Sequence, residues 1–189
     1  TQSRSSAASD VYKRQNDFSE LIGQDTLVKT FNNALNKGRL AHAFLLTGIR
    51  GVGKTTTARI IAKALNCIGD GSKEDPSFEI CNNCSPCKSI NNGNFLDVIE
   101  VDAASRTGVD GIREIIDSVI YSPNNARYKV YIIDEVHMLS NAAFNALLKT
   151  LEEPPQNVKF IFATTEIKKI PATIISRCQK FDLQRVCLL

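Results

Sequence analysis

Between the apolar run AFLLT, residues 43–47, and the helical pattern TTTARIIAKAL stands the octapeptide Gly48-Ile49-Arg50-Gly51-Val52-Gly53-Lys54-Thr55. It fits GxxxxGK[ST], and a strand, a glycine-rich turn and a helix in that order leave few folds open. The glycines let successive N–H groups turn inward around an anion, and the helix N-terminus adds its positive partial charge to the same point. The pattern predicts a phosphate-binding loop over Gly48 to Thr56. Lys54 is placed to reach the β- and γ-phosphates, and the Thr55 hydroxyl to ligate Mg²⁺.

A loop of this kind needs a parallel sheet to stand on. Apolar, β-rich runs at 43–46, 95–101, 129–133 and 159–163, with a shorter one at 178–183, alternate with helical patterns at 55–65, 109–119 and 141–152. That alternation predicts an α/β fold, a five-stranded parallel sheet flanked by helices. Leu27, Phe31 and Leu35 fall at helical spacing ahead of Gly38 and mark a first helix in the segment from Phe18. Ser140 is placed to cap the helix that begins at Asn141, and Pro154 and Pro155 stop it.

The strand pattern KVYIIDEVH ends in Asp134 and Glu135. Carboxylates there emerge at the carboxyl edge of a parallel sheet, beside the phosphate loop. Asp134 suits Mg²⁺ coordination, and Glu135 suits activation of an attacking water. An isolated acidic pair at a strand end is often only solvated; the complete phosphate loop upstream favours catalysis. The next strand, KFIFATT, ends in Thr164 and Thr165. Of these Thr165 is the candidate for sensing the γ-phosphate or the water, although strand-end threonines are usually structural. His137, just after the acidic pair, is a residue type that in this position packs or caps more often than it catalyses, and it is assigned no role.

Residues 66–94 are rich in Cys, Asn, Ser and Gly and read as an insertion between sheet elements. Cys67, Cys81, Cys84 and Cys87 give two CxxC steps sharing Cys84, closed by a fourth thiol. Tetrahedral Zn²⁺ wants four such ligands, so residues 66–90 are predicted to hold a structural zinc; free or redox-active thiols are the alternative. A net charge of +3 is too small to announce a nucleic-acid partner by itself. No stretch approaches the roughly 20 apolar residues of a membrane span, and the N-terminus lacks the apolar run of a secretory signal, so a cytoplasmic protein without a membrane partner is expected.

Taken together, HAFLLTGIRGVGKTTTARIIAKALNC, the cysteine cluster, IEVDAASRTGVDGIREI, KVYIIDEVHMLSNAAFNALLKTLEEPP and FIFATTEIKKIPATIISRCQKFDL closely resemble the gamma/tau family of bacterial DNA polymerase III clamp-loader subunits, which are AAA+ ATPases. The resemblance implies an ATP-binding and hydrolysing subunit of a hetero-oligomeric loader, working with other loader subunits to place a sliding clamp on primed DNA. It also implies that Arg177, in the Ser176-Arg177-Cys178 segment, is an arginine finger acting in trans on the ATP of an adjacent subunit. Read from the residues alone, Arg177 is equally a surface arginine. Arg106 is likewise a candidate for DNA phosphates or simply a loop residue.

The family's Tyr-Arg-Pro motif is missing before Phe18, which leaves Ile22 and Gly23 as the expected neighbours of the base. Residues 1–16 read as a disordered or non-native leader and 17–186 as the AAA+ domain. Residues 187–189 read as a tail, with the family's lid and collar domains absent. Another AAA+ DNA motor of the branch-migration type, or a nucleotide-binding scaffold without turnover, are the rival readings.

Overall fold

The computed structural model describes residues 17–71, 73, 75–105 and 109–185, the side chains of 109 and 110 apart. The expected leader 1–16, Arg106 and the tail 187–189 lie outside the described residues. Five strands, β1 (Ala43–Thr47), β2 (Val98–Asp102), β3 (Lys129–Asp134), β4 (Val158–Thr164) and β5 (Gln179–Asp182), form one sheet in the order β2-β3-β4-β1-β5. Every pairing is parallel, so all five carboxyl ends lie on one edge.

β1, β3 and β4 are buried almost throughout. A strand covered on both faces has no polar side to alternate with, which is why these runs are continuously apolar. Alternate residues divide between two cores. Phe44, Leu46, Val130, Ile132 and Ile161 face α1 (Asp25–Asn36) and α2 (Lys54–Asn66). Ala43, Leu45, Tyr131, Ile133, Phe160 and Phe162 face α4 (Val109–Val119), α5 (Asn141–Glu152) and the short α6 (Ala172–Ile175). Between α2 and β2 the remaining helix, α3 (Ser85–Asn92), lies inside the cysteine-rich insertion.

Several boundaries depart from the sequence reading. The first helix starts at Asp25, and Phe18–Glu20 instead form a single 3-10 turn capped by the Asp17 carboxylate. β2 starts at Val98, because the buried Asp97 carboxylate accepts the N–H groups of Asn124 and Asn125 at 2.8 Å each and of Ala126 at 3.0 Å. Those bonds hold a turn from the next connection where a longer strand would run. Ser140 caps α5 as expected, its hydroxyl accepting from Ala143 N at 3.2 Å.

Candidate functional site

The phosphate loop leaves the end of β1, and its conformation depends on glycine. A Cβ at Gly48 would sit 2.8 Å from the Leu183 carbonyl and 2.9 Å from Val52 Cγ1, so the loop passes too close to the end of β5 for any other residue. Gly53 stands at the N-cap of α2 with φ 97°, a left-handed conformation that side chains resist. Lys54, buried at the first turn of α2, folds back so that Nζ donates to the carbonyls of Gly48 at 3.1 Å and Ile49 at 3.2 Å. Its ammonium thus lies within the curve of the loop.

A cavity of about 470 Å³ opens there, lined by Arg50, Gly51, Gly53, Lys54, Thr55 and Thr56 from the loop and by Asp102, Asp134 and Glu135 from the strand ends. The Thr55 hydroxyl donates to Asp134 Oδ2 at 2.6 Å. A hydroxyl and a carboxylate oxygen that meet beside a phosphate loop are the hard oxygen donors Mg²⁺ prefers, and these two residues fit it. Asp102 was not singled out in the sequence. It ends β2 directly beside Asp134 in the sheet register, with its carboxylate held by Ala104 N and Ser105 Oγ at 2.8 Å each. Nothing local distinguishes it from a solvated strand-end acid; only the register brings it to the cavity.

Glu135 turns out of β3 with φ 47°, one of two non-glycine residues with positive φ among those described. Its Oε2 accepts from Thr165 Oγ1 at 3.1 Å and Thr165 N at 3.3 Å, so the acidic pair and Thr165 are joined directly. Thr164 is fully buried; its Oγ1 accepts from Glu166 N and lies 3.0 Å from His137 Nδ1. Arg177 stands apart from the cavity. Its guanidinium donates to Glu152 Oε1 at 2.6 Å and to the Thr173 carbonyl at 2.7 Å.

Ile22 is exposed, and Gly23 lines a second hollow of about 440 Å³ between the start of α1 and β5. That hollow is bounded by Gln24, whose amide exchanges two hydrogen bonds with the backbone of Gln184. Neither Ile22 nor Gly23 lines the phosphate cavity. Ile49 is exposed at the tip of the loop, and Val52 packs against the core beneath it.

At the far end of α2 the four cysteines meet. The Sγ atoms of Cys67, Cys81, Cys84 and Cys87 all lie within 4.8 Å of one another, with Cys67 and Cys81 at 3.5 Å. Four thiolates around zinc at 2.3 Å stand about 3.8 Å apart, so the cluster fits a tetrahedral ion with little movement. Cys81 N and Cys84 N donate to Cys67 Sγ and Cys81 Sγ at 3.4 and 3.3 Å, as backbone amides do to thiolates. Burial opposes ionisation of Cys81, but the N–H groups of Cys84 and Asn83 and the neighbouring thiols outweigh it and bring its pKa down to about 6. Cys178, outside the cluster, is pushed up to about 12 by burial. Arg127 donates to the carbonyls of Leu65, Cys67 and Lys73, and Asn66 pairs through both amide atoms with the backbone of Tyr128. These bonds tie the insertion to the start of β3. Among the described residues no helix is long and apolar enough to cross a membrane.

The family model described as DNA polymerase III, delta subunit, matches residues 23–187. The chain is 56% identical over 173 residues to DNA polymerase III subunit tau of Bacillus subtilis (strain 168), covering 92% of this chain and 30% of that protein. It is 58% identical over 167 residues to subunit gamma of Buchnera aphidicola subsp. Acyrthosiphon pisum (strain APS), covering 88% and 45%. Against subunit tau of Escherichia coli (strain K12) it is 51% identical over 171 residues, covering 90% and 26%. The chain therefore spans less than half the length of these curated relatives.

Among solved structures, a gamma subunit-related protein of Thermotoga maritima MSB8 superposes with a TM-score of 0.60 at 22% identity, over 84% of this chain and 46% of that one. The RuvB Holliday junction branch migration motor of the same species gives 0.58 at 22%, over 90% and 47%. At that identity the likeness speaks for the fold alone, a parallel α/β core flanked by helices.

Proposed function

Because the chain belongs to the DNA polymerase III delta-subunit family and shares 51–58% identity with tau and gamma subunits across most of its length, we propose that it is the nucleotide-binding domain of a clamp-loader subunit. In this reading it binds ATP and Mg²⁺ and hydrolyses the γ-phosphate, and the parent assembly uses the cycle to place a sliding clamp on primed DNA in the bacterial cytoplasm. Other loader subunits, the clamp and primed DNA are its partners. The observation that carries this reading is the meeting of Lys54, Thr55, Asp134 and Glu135 at one cavity, although they come from separate segments.

The chemistry follows from the residue types. Backbone N–H groups of the loop and the N-terminus of α2 bind phosphate oxygens, and Lys54 turns from the loop carbonyls toward the β- and γ-phosphates. Thr55 and Asp134 would hold Mg²⁺, which supplies charge neutralisation between the phosphates. Glu135 accepts a proton from the attacking water, and Thr165, bonded to Glu135, aligns it from the neighbouring strand. Arg177 serves the nucleotide of an adjacent subunit, for which its ion pair with Glu152 must open; an exposed pair of this kind is worth at most about 1 kcal/mol. Ile22 and Gly23 are the residues expected to neighbour the base. The four cysteines would hold a structural zinc, a fully thiolate site without an open position for substrate.

The test is ATP turnover by this chain mixed with partner loader subunits, clamp and primed DNA. Lys54→Ala is expected to abolish nucleotide binding. Arg177→Ala is expected to keep binding and to lose stimulated turnover by about 10³-fold or more. Binding without turnover in the complete wild-type assembly would favour a scaffold.

A further inference from the structure

His137 has no part in the chemistry just described, yet its ring is buried against the proposed base. Its side chain is 6% exposed. Nδ1 lies 3.0 Å from Thr164 Oγ1 and 3.3 Å from Glu135 Oε2, so one N–H at that position faces both oxygens. Nε2 is 3.5 Å from Glu166 Oε1, beyond a good hydrogen bond. Thr164 Oγ1 is itself fixed by Glu166 N at 3.0 Å, and the Glu166 carboxylate is held by Lys169 Nζ at 2.9 Å. The ring is therefore held between Thr164 Oγ1, its nearer partner at 3.0 Å, and Glu135 Oε2 at 3.3 Å.

We propose that His137 is a positioning residue that fixes the Glu135 carboxylate through Nδ1. The inference rests on the reading of Glu135 as the base. Glutamate has three side-chain torsions, and at the mouth of an open cavity it would sample several rotamers. A base works only within hydrogen-bond reach of the proton it takes, and a displacement of about 1 Å can cost on the order of 10²-fold in rate. Glu135 also leaves β3 in a left-handed backbone conformation that a side chain resists and the surroundings must hold. Thr165 binds Oε2 from the β4 side. His137, on the turn Val136–Met138 that follows β3, brings Nδ1 to 3.3 Å from the same oxygen on the other side. Donors from two elements locate a carboxylate where one alone leaves it free to swing.

A histidine that merely filled space would be replaceable by any ring of its size, and the test separates the two roles. The chain has two histidines, so ¹⁵N spectra of its imidazoles contain only His42 and His137, assigned with His42→Gln. Glu135→Gln is expected to shift the Nδ1 resonance of His137 and leave those of His42 in place. An unmoved His137 resonance overturns the inference whether or not the protein turns over ATP. In the assembled loader, His137→Asn, whose amide falls near Nδ1, is expected to keep kcat within about threefold of wild type. His137→Phe is expected to lose on the order of 10- to 100-fold in kcat with KM for ATP unchanged. Equal losses in the two variants, or none in His137→Phe, refute the positioning role. A resonance shift on Glu135→Gln, together with no turnover in the complete wild-type assembly, instead removes the reading of Glu135 as a base and leaves the contact standing.

Discussion

Lys159 lies buried within β4, with Nζ 3.4 Å from the Leu40 carbonyl and 5.3 Å from the centre of the Tyr128 ring. Burial holds its pKa below the ordinary 10.5. The unfolded chain then keeps the proton to higher pH than the folded one, so this residue's contribution to stability rises as pH climbs toward 10.5. Lys159→Met keeps the stem and removes the charge. It is expected to be more stable than wild type in urea at pH 7 and to lose that advantage near pH 10; an equal gain at both would rule out burial of the charge as the cause. At this scale the sequence was legible where a function needs neighbours in the chain. Lys54, Thr55 and the acidic pair announce themselves because loop and strand end are continuous segments. Asp102 and His137 do not, since the first reaches the cavity by sheet register and the second meets Thr164 Oγ1 from β4. No local pattern encodes either.

The strands and long helices were readable for a related reason. A strand buried on both faces must be apolar throughout, and α5 carries its cap and its stop in its own sequence. Ser140→Ala removes the cap bond to Ala143 N and is expected to cost about 1 kcal/mol in urea denaturation, with nucleotide binding unchanged. No loss would show that water replaces the cap fully. α3 was hidden by its cysteines, which drew attention to ligand spacing, although Pro86 near its start and Gly93 at its C-cap are ordinary helix boundary signals. The start of β2 was misplaced because Asp97 spends its carboxylate on a turn 27 to 29 residues away, a contact that periodicity cannot register.

Across the whole molecule, the cysteine cluster and the phosphate cavity sit at opposite ends of α2, and both are also linked to β3. Asn66 and Arg127 bind the start of that strand to the insertion, while Asp134 and Glu135 leave its end. Removing the proposed zinc with a chelator under reducing conditions is expected to raise hydrogen exchange at the amides of 64–67 and 81–90 and to lower the melting temperature, while β4 keeps its protection. Uniform loss of protection would mean that the insertion folds as one unit with the sheet. The same helix imposes a constraint of another kind. Lys54 opens α2 and Cys67 closes it, and each residue of a helix advances the chain by about 100° and 1.5 Å. Deleting or inserting one residue between them would rotate the cysteine by about 100° away from its three companions, or the lysine away from its loop. The interval from 54 to 67 is thus a matter of phase: two sites with unrelated chemistry are keyed to the same angular count, and neither can drift in length without the other.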